Sequence, residues 1–251
     1  MSTLLTTATG SSVDGRPTGP PEFAAWRTSV SIGASTDPQT LARAYLDESE
    51  GNAFAAMDGS DQISWLLGQV AAKDAVCNHL VNRSFAAFDP KRIAVDYDVE
   101  GRPSVRVQGA RFSTRGVQVS IANKPTVGVA IAARVPPLSV KTGEVGPKKG
   151  IGIHVESVES RPPSFEETVL APPERSLCDV SSDDRDTWLT RMWAVKEAAA
   201  KASDLGPRRR PKDFAVDAVE QNRLRCLGRW IGTEPLRTPG GEFIVAWTET
   251  P

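Results

Sequence analysis

Two stretches of the chain carry the same alternation of apolar and polar positions. Trp65–Val76 reads WLLGQVAAKDAV and Trp188–Ala199 reads WLTRMWAVKEAA, and the two align without a gap. Trp, Leu, Ala, Lys and Ala recur in register, with Asp74 opposite Glu197. Both patterns predict amphipathic helices, over Trp65–Leu80 and Trp188–Ser203, and the polar SSDDRD ahead of the second is suited to cap its start. Downstream of each helix a strand-like segment contains the triplet Ala-Val-Asp, at Ala94–Asp96 in IAVDYDVEGRPSVRV and at Ala215–Asp217 in FAVDAVEQNRLRCL. Ala94 follows Lys73 by 21 positions and Ala215 follows Lys196 by 19, a difference one small loop indel explains. Similar amphipathic helices arise by chance, but helix and triplet together point to a duplicated unit.

Each half offers further strands. Gly116–Val135 predicts a hairpin turning near Lys124–Pro125, and Glu242–Glu249 predicts a strand near the C-terminus. Ile151–Val158 alternates and opens the second half. Helices and antiparallel strands thus occur twice, and the fold class expected is α+β, as two similar lobes forming an intramolecular pseudo-dimer. The expected divisions are a flexible segment over residues 1–21, rich in Ser, Thr, Gly and Pro, an N-terminal lobe over 22–143 and a C-terminal lobe over 144–251. The Pro-, Gly- and Lys-rich stretch Pro136–Gly150 is the candidate linker, and a cleft between lobes is the first place to seek a ligand.

Composition narrows the partners. With 30 basic against 31 acidic side chains in 251 residues there is no bulk field to attract nucleic acid or an anionic membrane. The apolar run Val127–Val135 falls far short of the ~20 residues a membrane span needs. No basic segment precedes an apolar one at the start, so the expected location is the cytoplasm. Three cysteines without CxxC spacing argue against a disulfide framework and a zinc site.

On the second helix Trp193, Glu197 and Lys201 are spaced i, i+4, i+8 and share one face. Taken alone, this is a solvated Glu–Lys pair worth a few tenths of a kcal/mol. Three segments taken in order change the picture: Ser120-Ile121-Ala122-Asn123-Lys124, then Gly152-Ile153-His154-Val155-Glu156, then Trp193-Ala194-Val195-Lys196-Glu197-Ala198-Ala199-Ala200-Lys201. This order resembles the larger, two-lobed 4′-phosphopantetheinyl transferases of the surfactin-synthetase-activator type, whose blocks are a Ser/Ala-His element, G-[IV]-D-[IL]-E and W-x-x-K-E-[AS]-x-x-K. The third block matches completely. WLLGQVAAKDAV and the later GRPSV also look like the relatives associated with polyketide and polyunsaturated fatty acid synthases.

The resemblance implies transfer of phosphopantetheine from coenzyme A to a serine of an acyl or peptidyl carrier protein in polyketide, fatty acid or other natural-product biosynthesis, by a chain acting as a monomer. It implies Mg²⁺ held by carboxylates against the pyrophosphate. Carried over residue by residue, Glu156, Glu197 and His154 would be metal ligands, Glu197, Lys201 and His154 catalytic groups, and Asn123, Lys124, Lys196 and Lys201 coenzyme A ligands.

Two positions depart from the pattern. His154 stands where the family has its first carboxylate, and Asn123 where it has histidine. A neutral imidazole suits softer divalent ions better than Mg²⁺, so Mg²⁺ is expected to be weakened or replaced. Asn123 can donate a hydrogen bond to phosphate without supplying charge. The alternatives are therefore a repurposed catalyst with His154 as acid or base, and a non-catalytic module that binds a carrier protein. His79 is expected to be a packed or surface histidine, Arg208–Arg210 a solvated turn, and Glu159 and Arg161 structural. Gly150-Ile151-Gly152 lacks the lysine of a phosphate loop.

Overall fold

The computed structural model describes residues 7–10, 25–31, 37–84, 89–109, 116–135, 150–203 and 209–248. By contact the chain divides into two compact units, Met1–Pro137 with Thr250–Pro251, and Leu138–Glu249. The candidate linker lies outside the described residues except for Gly150.

In the first unit strands β1 (Thr7–Gly10), β2 (Trp26–Ser31), β5 (Val117–Lys124) and β6 (Val127–Arg134) form an antiparallel sheet in the order β1-β2-β6-β5. Within the segment 1–21, expected to be flexible, Thr7–Gly10 forms a strand paired with β2. The hairpin expected near Lys124–Pro125 is present, with Lys124 paired to Val127. Helices α1 (Pro38–Tyr45) and α2 (Glu48–Ala55) lead into α3 (Gly59–Ser84), and β3 (Ile93–Tyr97) pairs with β4 (Pro103–Val107) as a separate hairpin. Leu66, Leu67, Val70, Ala71 and Ala75 of α3 are buried in one core with Val30, Ala130 and Ala132 of the sheet.

The second unit carries β7 (Ile153–Ser157), α4 (Pro163–Val169), a 3₁₀ segment over Pro172–Val180, α5 (Arg185–Ala202), β8 (Val216–Glu220), β9 (Arg223–Cys226), β10 (Arg229–Thr238) and β11 (Gly241–Thr248). Its sheet runs β7-β11-β10-β9-β8, antiparallel throughout. The Asp184 side chain caps α5 by accepting from Asp186 and Thr187 N–H at 3.0 Å each, as the polar stretch foretold.

Mixed helix and antiparallel sheet agree with the α+β expectation, and from β2 onward the order of elements in the first unit matches that of the second, β1 being an addition. A strand, short helical turns, a long helix, a 3₁₀ turn (Pro90–Arg92; Pro211–Asp213) and two hairpins follow one another twice. The repeated residues of the sequence are the ends of one repeated network. In the second unit Lys196 Nζ donates to Glu174 (2.6 Å) and to the Val169 carbonyl (2.8 Å), while Glu174 accepts from the N–H groups of Ala171 (2.6 Å) and Val216 (2.6 Å). In the first unit Lys73 Nζ donates to Glu50 and to the Tyr45 carbonyl (2.8 Å), while Glu50 accepts from the N–H groups of Asp47 (3.0 Å) and Val95 (3.3 Å). Both lysines are at most 1% exposed. A buried charge is tolerable only when so completely paired and hydrogen-bonded. The aspartate of each triplet pairs with an arginine of the adjoining strand, Asp96 with Arg106 and Asp217 with Arg225. Helix and triplet therefore recur together because a buried Lys–Glu staple ties one to the other.

Candidate active site at the edge of strand β7 and helix α5

Antiparallel pairing sets His154 opposite Ala246 and Glu156 opposite Ile244. Directly paired residues point to the same face of a sheet, and Ile244 and Ala246 belong to the core that α5 fills, so His154 and Glu156 face the α5 side. Gly152 makes this close packing possible. A Cβ there would stand 2.0 Å from the Ala198 carbonyl oxygen of α5. That is the physical reason for glycine at the head of the second block, rather than a phosphate loop.

His154 Nε2 lies 3.3 Å from Glu156 Oε2. The other oxygen, Oε1, receives the Arg161 Nη2 and the Ser157 N–H, each at 3.3 Å. Arg161 is held from several sides. Nη2 donates to the Ser157 carbonyl at 2.7 Å, Nη1 meets Glu159 Oε1 at 2.8 Å, the backbone N–H reaches Asp186 at 3.1 Å, and the guanidinium lies 4.6 Å from the centre of the Phe165 ring. Phe165 in turn packs at a tilt against Trp193, ring centres 5.6 Å apart. The first residue of the third block is thereby linked through Phe165 and Arg161 to the carboxylate of the second.

Within the third block on α5, Ala194, Val195, Lys196, Ala198 and Ala199 are buried, whereas Trp193 and Glu197 are half-buried and Lys201 is exposed. The stripe expected from the i, i+4, i+8 spacing is therefore the edge of the helix nearest solvent. Lys201 Nζ donates to the Ile153 carbonyl at 3.0 Å, which ties the end of α5 to β7 beside His154.

Lys196 departs from its expected role. Its ammonium points into the core onto Glu174 and Val169, contacts that differ from those of a phosphate ligand. Asn123 and Lys124 end β5 in the first unit, where the Asn123 Nδ2 donates to Ser64 Oγ at 2.6 Å. His79 is buried, Arg210 pairs with Asp213 at 3.3 Å, and Arg208 lies outside the described residues. Arg161, expected to be structural, braces Glu156, a partner that the sequence did not name.

Among the described residues no three His, Cys, Asp or Glu side chains stand together to hold a metal ion. At β7 the donors are one imidazole and one carboxylate, and both carboxylate oxygens already have partners. This set does not fit a hard cation, which asks for several oxygen ligands. A separate depression of about 450 Å³ in the first unit is lined by Asp47, Glu48, Ser49, Asn52 and Gln108, and its acidic wall is unsuited to a phosphate-bearing ligand. None of the described helices is long and apolar enough to cross a membrane.

No curated protein matches the chain. Residues 150–245 match the family model of the 4′-phosphopantetheinyl transferase superfamily, a stretch that contains β7, α5 and every second-unit residue of the site just described. Members of that superfamily act on carrier proteins with coenzyme A as substrate. Over residues 150–245, the resemblance of the chain to the 4′-phosphopantetheinyl transferase superfamily is thus shown by the family model.

Proposed function

We propose that this protein transfers 4′-phosphopantetheine from coenzyme A to a serine of an acyl or peptidyl carrier protein. The observation that supports this reading best is the half-exposed stripe Trp193–Glu197–Lys201 of α5, lying along the strand that bears His154 and Glu156, inside the segment that matches the superfamily. A carrier serving polyketide, fatty acid or other natural-product assembly is the partner the sequence resemblance implies. The repeated element order and the twin Lys–Glu staples support a chain built from two copies of one unit.

In this reading Glu197 takes the proton as the serine Oγ attacks the β-phosphorus of coenzyme A. The new P–O bond joins phosphopantetheine to the serine, and the bond to the α-phosphate oxygen breaks, releasing 3′,5′-adenosine bisphosphate. Lys201, at the solvent edge, offsets charge on the phosphates in this reading. Asn123 and Lys124 are proposed as further coenzyme A contacts on the strength of the resemblance. Lys196 is assigned to the core. The β7 donors do not fit a protein-held Mg²⁺.

The test is an intact-mass measurement of a carrier protein incubated with this chain and coenzyme A, with and without Mg²⁺ or Mn²⁺. A gain of one phosphopantetheine arm is expected. An unmodified carrier under every condition, across several acyl and peptidyl carriers, would overturn the reading. The 3.3 Å contact between His154 and Glu156 favours one alternative, an imidazole–carboxylate pair that moves protons in a different reaction. His154→Asp separates the two, since transfer survives it in the first reading whereas the second predicts complete loss of activity in a folded protein.

A further inference from the structure

Glu156 is 7% exposed, and a carboxylate so buried needs a counter-charge. In a site built for a divalent ion that counter-charge arrives with the metal. Here it is part of the chain. The Arg161 guanidinium sits 3.3 Å from Oε1, and it is braced by the Ser157 carbonyl, Glu159 and the Phe165 ring, with its backbone fixed by Asp186. Its side chain is only 10% exposed, so it is not a surface arginine that swings away at no cost. With the His154 imidazole on the other oxygen, the cation nearest Glu156 Oε1 is this fixed guanidinium, which repels an incoming divalent ion. Mg²⁺ binds where carboxylates outnumber cations and pays heavily for its own dehydration.

We propose that Arg161 occupies the counter-cation position at Glu156, so that this chain holds its β7 carboxylate in place without a bound divalent ion. The inference rests on reading the β7–α5 edge as the transfer site, yet its test is independent of transfer. Arg161 is a positioning residue, acting through Glu156. A merely structural arginine would leave metal affinity unchanged when replaced, whereas a counter-cation masks a metal site.

The experiment follows free Mn²⁺ by electron paramagnetic resonance during titration into the full chain, with circular dichroism confirming the fold of every variant. Wild type is expected to leave the free-ion signal undiminished up to millimolar Mn²⁺. His154→Asp alone is expected to do the same, because Arg161 still neutralises Glu156. The double variant His154→Asp/Arg161→Gln is expected to take up one ion with at least tenfold higher affinity than either parent, and adding Glu156→Gln to remove that uptake. Stoichiometric binding by wild type that Glu156→Gln abolishes would overturn the proposal. So would uptake restored by His154→Asp alone, or a folded double variant that binds nothing. Should the double variant fail to fold, His154→Asp/Arg161→Lys, which keeps the charge and shortens the reach, is expected to bind no ion, and binding by it counts against the proposal. A wild type that binds no Mn²⁺ and also modifies no carrier would leave this inference standing while removing the transferase reading.

Discussion

Replacing Lys196 with methionine tests whether the third block's first lysine serves the core or the substrate. The substitution keeps an unbranched apolar stem of similar reach and removes only the ammonium. Glu174, 1% exposed, would then be an anion held by two backbone N–H groups, and the Val169 carbonyl would lose its 2.8 Å donor. Removing one partner of a buried ion pair typically costs about 3–5 kcal/mol, because the remaining charge is left uncompensated. Against a total stability of about 5–15 kcal/mol this is a large fraction. Urea unfolding of the full chain measures the loss, and hydrogen exchange of peptides from α5 locates it without assuming that both units unfold together. Glu174→Gln should cost a similar amount. The double variant Lys196→Met/Glu174→Gln should cost clearly less than the sum of the two, since each single change already breaks the pair. Lys73→Met should behave in the same way in the first unit, where the pair is Lys73–Glu50. A Lys196→Met protein that loses less than about 1 kcal/mol while its coenzyme A affinity collapses would refute the reasoning and return Lys196 to the phosphates.

Two further outcomes follow from single positions. Burial pushes the Asp74 carboxyl up to about 6 although Tyr45 donates to it at 3.3 Å. The native state therefore holds this proton more tightly than the unfolded chain, whose aspartates titrate near ~3.9, and stability should fall as pH rises from about 4 to about 6 and stay level above. Asp74→Asn should raise stability at pH 7 by on the order of 2 kcal/mol and give no advantage at pH 4, as thermal melts at the two pH values would show. A variant less stable than wild type at pH 7 would contradict this. Gly152→Ala should force β7 away from α5, costing about 1–3 kcal/mol or more, because the added methyl meets a backbone oxygen at 2.0 Å rather than a side chain that can turn aside. A variant with unchanged melting and unchanged activity would show that the strand can shift freely.

The local pattern of the chain already carried the two long helices, the hairpin at Lys124–Val127, the strands at both ends of the second unit and the repeat of lysine and Ala-Val-Asp. These are legible because each is a periodic or motif signal within a few residues. Helix α3 nevertheless starts at Gly59, six residues before the repeat begins, since no apolar period marks its first turns. The short elements α1, α2 and α4 were not read, although Asp37-Pro38 and the Asp47–Glu50 capping box announce the first two. The glutamates that complete the staples escaped notice because their surroundings share nothing: Glu50 lies in the first turn of α2, and Glu174 follows two prolines in a 3₁₀ turn. What is alike is their bonding, a buried lysine and two backbone N–H groups each. The direction of each charged side chain of the third block was also beyond the sequence. Lys196 and Lys201 are five residues apart on one helix, so the period puts them on different faces, but which face meets the core depends on where the β7–β11 pairing lays the sheet against α5. The same pairing turns His154 and Glu156 toward that helix and, with the turn through Arg161, supplies their counter-charge from a residue no motif named. Local sequence sets which residues share a face. Long-range strand pairing and packing decide what that face touches, and a charge becomes a core staple, a positioning group or a ligand only through what it touches.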